Sequence, residues 1–119
     1  MQRFTDLRVW ERAHALTLEI YGHARSFPYD ERFGLTSQLR RAAVSVPTNI
    51  AEGSKRRSNA EYARFLNVAE ASLVEVEYLL LLARDLEYLS ESSWTPMQAK
   101  IAELQPMLAT LRQRVAEEA

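Results

Sequence analysis

The chain has 119 residues, enough for one domain with one core, and 47% of them are hydrophobic, too large a share for a disordered chain. With 3 Gly and 4 Pro it lacks the turn-formers an all-β fold needs, and with no cysteine it has no disulfide, thiol nucleophile or thiolate metal site. The net charge of -1 conceals a polarised chain: residues 1–31 carry -1, residues 32–64 carry +5 and residues 65–119 carry -5.

Four helices are expected in chain order, all in one domain spanning 1–119. The first opens at Thr5 as N-cap, with Asp6 in its first turn. It carries Val9, Ala13, Leu16 and Ile20 on one row and Trp10, Ala24 and Phe27 on a second, and Pro28 stops it. The second starts near Asp30 and aligns Leu35, Leu39, Ala42, Val46 and Ile50. Pro47 falls inside it and should kink it, and Gly53 is placed to end it in a left-handed cap.

Ser58 and Glu61 form a capping box that opens the third and longest helix, which should run to about Leu89. Its main stripe is Phe65, Ala69, Leu73, Val76, Leu80 and Ala83, and Leu79, Leu81 and Leu82 add apolar surface on other sides. A helix apolar on more than one side needs more than one neighbour, which points to self-association. The fourth helix should begin at Thr95-Pro96. Met97, Ile101, Leu104, Leu108, Leu111 and Val115 alternate at four and three, a bundle-packing seam. Short connections make this an all-α, antiparallel up-down-up-down four-helix bundle.

Catalytic chemistry finds little to work with. Di-metal bundle centres need a Glu-x-x-His pair on each of two helices. Glu11 and His14 have that spacing, but the second histidine, His23, follows Glu19 at four. Both histidines lie on the first helix, so no triad is indicated, and there is no Gly-rich phosphate loop. Neither an enzyme, a metal nor a cofactor is expected. No basic stretch leads into an apolar run, and the longest apolar run, from Tyr78 to Ala83, is too short to span a bilayer, so the cytoplasm is the expected compartment.

Two constellations remain. Arg41, Ser45, Asn49 and Glu52 are spaced to line one face of the second helix. Ser45, Asn49 and Glu52 form either a polar site or a hydrogen-bond network that sets helix register. Lys55, Arg56 and Arg57, joined by Arg64 and by Arg40 and Arg41, make an arginine-rich basic cluster. It suits phosphate oxygens, or else is a solvated corner with local partners such as Glu52.

Several runs together carry a family resemblance: Phe4-Thr5-Asp6-Leu7-Arg8-Val9-Trp10, Phe27 through Leu35, Gln38 through Ala43, and Asn49-Ile50-Ala51-Glu52-Gly53 after Ser45-Val46-Pro47. Ser58, Glu61, Phe65-Leu66, Ala69, Ser72-Leu73 and Glu75 continue the pattern. From Phe4 to Leu89 the chain resembles the bacterial four-helix bundle proteins called 23S rRNA intervening-sequence proteins. That family is similar to the accessory variability determinant of diversity-generating retroelements, a pentameric ring whose basic surface engages nucleic acid and a reverse transcriptase. The resemblance therefore implies a homopentamer, RNA or DNA and a nucleic-acid enzyme as partners, and no catalytic residue. The retroelement relatives are strongly basic, whereas this chain has a pI near 6.1. The expected function is a non-catalytic oligomeric scaffold that binds RNA through Arg40, Arg41, Lys55, Arg56, Arg57 and Arg64. The alternative is a protein–protein scaffold without a nucleic-acid role.

Overall fold

The computed structural model describes residues 3–119. Four helices carry the fold: α1 (Arg8–Ala24), α2 (Leu35–Ser54), α3 (Asn59–Asp85) and α4 (Glu91–Glu117), with single 3-10 turns at Phe4–Asp6 and Tyr29–Glu31. There is no strand among the described residues. Each helix packs on the next and α1 also packs on α4, whereas the backbones of the diagonal pairs stay farther apart, so the helices surround a single core in a body 45 × 25 × 20 Å.

The expected stripes supply that core. Val9, Ala13, Leu16 and Ile20 from α1 meet Leu39, Ala42, Val46 and Ile50 from α2. Opposite them lie Ala69, Leu73, Val76, Leu80 and Ala83 from α3, and Met97, Ile101, Leu104 and Leu108 from α4. Contacts along each neighbouring pair fall in opposite numerical order, consistent with alternating helix direction. Gln38 meets Glu75 and Ser45 meets Ser72 between α2 and α3, while Glu70 pairs with Arg112 and Glu77 accepts from Gln98 and Gln105 between α3 and α4. Arg12 pairs with Glu103 and Glu19 with Lys100 between α1 and α4.

The helix ends differ from the sequence expectation in instructive ways. Thr5 does not cap α1: it lies in the 3-10 turn, Leu7 stays extended, and the helix starts at Arg8. That turn folds Phe4 back onto Trp10, ring centres 5.1 Å apart. Nor does Asp30 cap α2. It belongs to the second 3-10 turn, and the Glu31 carboxylate accepts from the Leu35 amide at 3.2 Å instead. α4 begins one turn before Thr95, where Ser90 accepts from the Ser93 amide at 3.1 Å. Pro96 thus lies inside α4, on its exposed side, where water can satisfy the carbonyl it leaves unbonded.

α3 stops at Asp85 rather than Leu89. Glu87 takes a left-handed conformation at φ 66°, its amide bonds Arg84 O at 2.9 Å, and the Tyr88 amide bonds Ala83 O at 2.8 Å, which is the Schellman arrangement. Ser58 does cap α3, accepting from the Glu61 amide at 3.2 Å.

Gly53 serves a different purpose from the one expected. It sits within α2 and no glycine among the described residues has positive φ. A Cβ there would lie 2.8 Å from Phe65 Cβ and 3.0 Å from Tyr62 Cδ1, so glycine is what lets α2 and α3 approach. Gly53→Ala should therefore destabilise the fold by about 1–3 kcal/mol in denaturant unfolding, although alanine is the better helix former.

α2 runs on through Pro47, which is buried. Proline has no amide to give the carbonyl four residues back, that of Ala43. A partial substitute comes from another helix: the buried Thr17 hydroxyl on α1 lies 3.1 Å from Ala43 O and 2.8 Å from Ala13 O, so its one proton is shared between the two carbonyls. Thr17→Val should cost about 1–3 kcal/mol by orphaning that carbonyl. In a Pro47→Ala background, which restores an amide, the same change should cost less. A double-mutant unfolding cycle with no coupling would refute the substitution of one donor for the other.

At the far end of the bundle Tyr88 donates to Glu31 at 2.9 Å, tying the α1–α2 connection to the end of α3. This bond, then burial, then the charges of Glu31 and Asp30 push the Tyr88 pKa above the ordinary 10.0. The stability it contributes is present below that ordinary value and lost as pH rises through the raised one. Tyr88→Phe should remove this part of the alkaline loss when thermal unfolding is followed against pH.

Candidate nucleic-acid interface

The basic residues of the middle segment do not form one cluster. Lys55, Arg56 and Arg57 follow the last turn of α2, and the capped start of α3 returns the chain so that Arg64 joins them. All four are exposed. Arg56 and Arg64 both reach the half-buried Phe65 ring, their guanidinium carbons 4.7 and 5.6 Å from its centre. Arg56 Nε also donates to Glu52 O at 3.3 Å, which holds its stem along α2. Arg64 has one carboxylate in range, Glu61 at 3.9 Å, and the pair is solvent-screened. Arg56 and Arg64 thus share one aromatic face, and Lys55 and Arg57 adjoin Arg56 in the exposed connection between α2 and α3.

Arg40 and Arg41 lie elsewhere. Lys55 is fourteen steps along the chain from Arg41, about 21 Å along the helix axis. Arg40 turns toward α1 over the Tyr21 ring at 5.1 Å, and its Nε is buried without a partner. Arg41 is exposed and falls on the row of Gln38 and Ser45, which faces α3. In the sequence these two arginines group with the corner because they are near it in number. The bundle separates them along its length.

The polar row of α2 resolves into a register network. Ser45 and Ser72 share a hydroxyl bond of 2.8 Å between α2 and α3, and Asn49 donates to Ser45 O at 2.8 Å and to Ser45 Oγ at 3.0 Å. Glu52 is exposed, and only its backbone carbonyl is engaged, by Arg56 Nε and by the Lys55 amide. Ser72 belongs to the other helix, so spacing along α2 gives no sign of it.

Acidic groups border the corner. Asn59 Nδ2 lies 3.5 Å from Glu118 O, so the acidic end of α4, with Glu117 and Glu118, shares the same end of the bundle. The positive field there is consequently short-ranged, and contact rather than long-range steering would dominate attraction of an anion. His14 stacks on Trp10 at 4.9 Å and 13°, an apolar use of its ring. Among the described residues no three His, Asp or Glu side chains converge as a metal site requires.

With this architecture in view, comparisons with known proteins identify the lineage. A family model described as 23S rRNA-intervening sequence protein matches residues 5–110. The chain belongs to that family. The fold is shared with the crystal structure of a protein of unknown function from the S23 ribosomal protein family of Bacteroides thetaiotaomicron VPI-5482. The two have a TM-score of 0.81 and 22% identity, over 88% of this chain and 95% of that one. No curated protein is similar enough to match. No enzyme family is indicated by these likenesses, and no helix among the described residues is long and apolar enough to cross a membrane.

Proposed function

We propose that this family member is a non-catalytic, homo-oligomeric scaffold that binds RNA at the corner between α2 and α3. The observation that carries this reading is the meeting of Arg56 and Arg64 at the Phe65 ring, beside the exposed Lys55 and Arg57 in the connection between α2 and α3. Three of the four cations are guanidinium groups, whose planar donors match phosphate oxygens, and the aromatic face offers an unpaired base something to stack on.

A single corner offers only a handful of phosphate contacts. Repetition around an oligomer multiplies them, and the pentamer implied by the resemblance would present five copies. A nucleic-acid enzyme is the natural further partner of such a scaffold, and the cytoplasm its natural place. Arg40 and Arg41 stand apart from the corner, so in this reading they do not share its phosphate contacts.

A second reading, a protein–protein scaffold without RNA, is favoured by one observation: the apolar groove between α1 and α2, lined by Trp10, Leu18, Tyr21 and Val44. Co-purification from the native host separates the two, since RNA-bridged partners dissociate on nuclease treatment and direct protein partners do not.

The decisive measurement is the binding of single-stranded RNA between about 50 and 200 mM salt. Affinity should fall steeply across that range, with little dependence on base sequence. Neutralising Lys55, Arg56 and Arg57 to glutamine should weaken binding and flatten the salt slope by about one unit for each phosphate no longer bound. Salt-insensitive binding, or a triple variant that binds like the parent, would remove RNA from the reading.

A further inference from the structure

The seam between α1 and α4 is the most loosely packed of the four neighbouring helix pairs. Where α1 begins, it opens into a cavity of about 570 Å³, a volume in the range of small-molecule sites. Leu7 and Val9 from the start of α1 and Met107 and Leu111 from α4 give it an apolar lining. Of these only Val9 is fully buried; Leu7, Met107 and Leu111 are partly covered by the core and leave apolar surface facing the cavity.

Two exposed arginines line the same cavity, Arg8 from the first turn of α1 and Arg114 from the last turn of α4. Among the described residues neither belongs to an ion pair, although Asp6 and Glu11 are near Arg8 in the chain and Glu117 and Glu118 near Arg114. Their neighbours are compensated: Arg12, one turn along α1, pairs with Glu103, and Arg112 pairs with Glu70. α1 also starts here without a capping side chain, so its end adds partial positive charge beside the two guanidinium groups. An apolar floor beneath two uncompensated cations selects its ligand from both sides. A neutral apolar molecule leaves the charges unused, and a small hydrophilic anion leaves the floor uncovered.

We propose that this cavity binds an anionic amphiphile, a carboxylate carried on an unbranched alkyl chain. The chain lies over Leu7, Val9, Met107 and Leu111, and Arg8 and Arg114 hold the carboxylate, which guanidinium groups take in bidentate fashion. From Pro106 to Arg114 the α4 wall runs eight residue steps, about 12 Å of helix axis, which suits an extended chain of medium length. None of these residues belongs to the corner between α2 and α3, so the site is independent of the RNA reading.

The test is calorimetric titration of the full chain with octanoate, beside acetate as the head group alone and 1-octanol as the uncharged chain. Octanoate should saturate at one per chain, and acetate and 1-octanol should each bind about tenfold more weakly or worse. Arg8→Gln and Arg114→Gln, both at exposed positions, should each weaken octanoate by about tenfold and leave 1-octanol unchanged. Thr110→Trp, at an exposed position on the cavity wall, should fill the space and abolish binding of both, with helical circular dichroism showing that the fold is kept. Replacing Lys55, Arg56 and Arg57 by glutamine should leave octanoate at its parent affinity, so loss of RNA binding and loss of this site are separate results. Equal affinity for octanoate and 1-octanol, uptake that never saturates, arginine variants that bind octanoate like the parent, or a folded Thr110→Trp that does so would overturn the assignment.

Discussion

The close approach of α2 and α3 at Gly53 governs the positions on which every functional argument depends. With only a hydrogen on that Cα, the last turns of α2 lie directly against Tyr62 and Phe65 at the start of α3. Phe65 is held half-buried at the edge of the core, where Arg56 from one side and Arg64 from the other can reach its face. The register along the pair is fixed further down by the Ser45–Ser72 bond, with Asn49 bracing Ser45. Moving α3 outward by the width of a methyl group would spread the four cations of the corner and leave their aromatic backing exposed. Packing here sets electrostatics, because a charged cluster at a helix–helix corner is only as compact as the crossing beneath it.

The helices and their buried faces are legible in the sequence because periodicity reports them directly: nearly every expected core position is buried, from Ile20 and Leu39 to Leu73 and Ile101. The ends are less legible, since several residues of the right type compete for each cap. Thr5, Asp30 and Thr95 are all good N-cap types, yet a 3-10 turn, a glutamate from the preceding turn and Ser90 take their places. Gly53 reads as a chain terminator because that is glycine's commonest meaning near a helix end. Its actual meaning, room for a neighbour, depends on a helix that local pattern does not contain. Thr17 is the same lesson from the other side. A threonine on an apolar face gives little sign of its task, and the carbonyl it serves is orphaned by a proline 30 residues later.

The candidate site is legible in composition but not in extent. An arginine-rich segment can be read from sequence, and two of its members, Arg56 and Arg64, meet at the Phe65 ring. Arg40 and Arg41 fall out because a helix spends about 1.5 Å per residue, so residues close in number can lie on different parts of a long bundle. The acidic second half of the chain, which by charge alone argues against phosphate, is also unevenly spent. Glu70 pairs with Arg112, Glu103 with Arg12, and Glu77 accepts from two glutamines, so these carboxylates neutralise helix contacts and project little field outward. What remains near the corner is the end of α4, and that limits the range of the basic surface.

The apolar excess of α3 has a physical consequence independent of any ligand. A single bundle gives each helix two neighbours and one solvent face, and α3 fills both of its contacts, with α2 and with α4, before Val74 and Tyr78 are covered. Nothing else in the described chain can reach them, because the diagonal helix is the one that bears the open groove. The sequence therefore encodes more apolar surface than one copy can bury. An isolated surface of that kind is an aggregation liability.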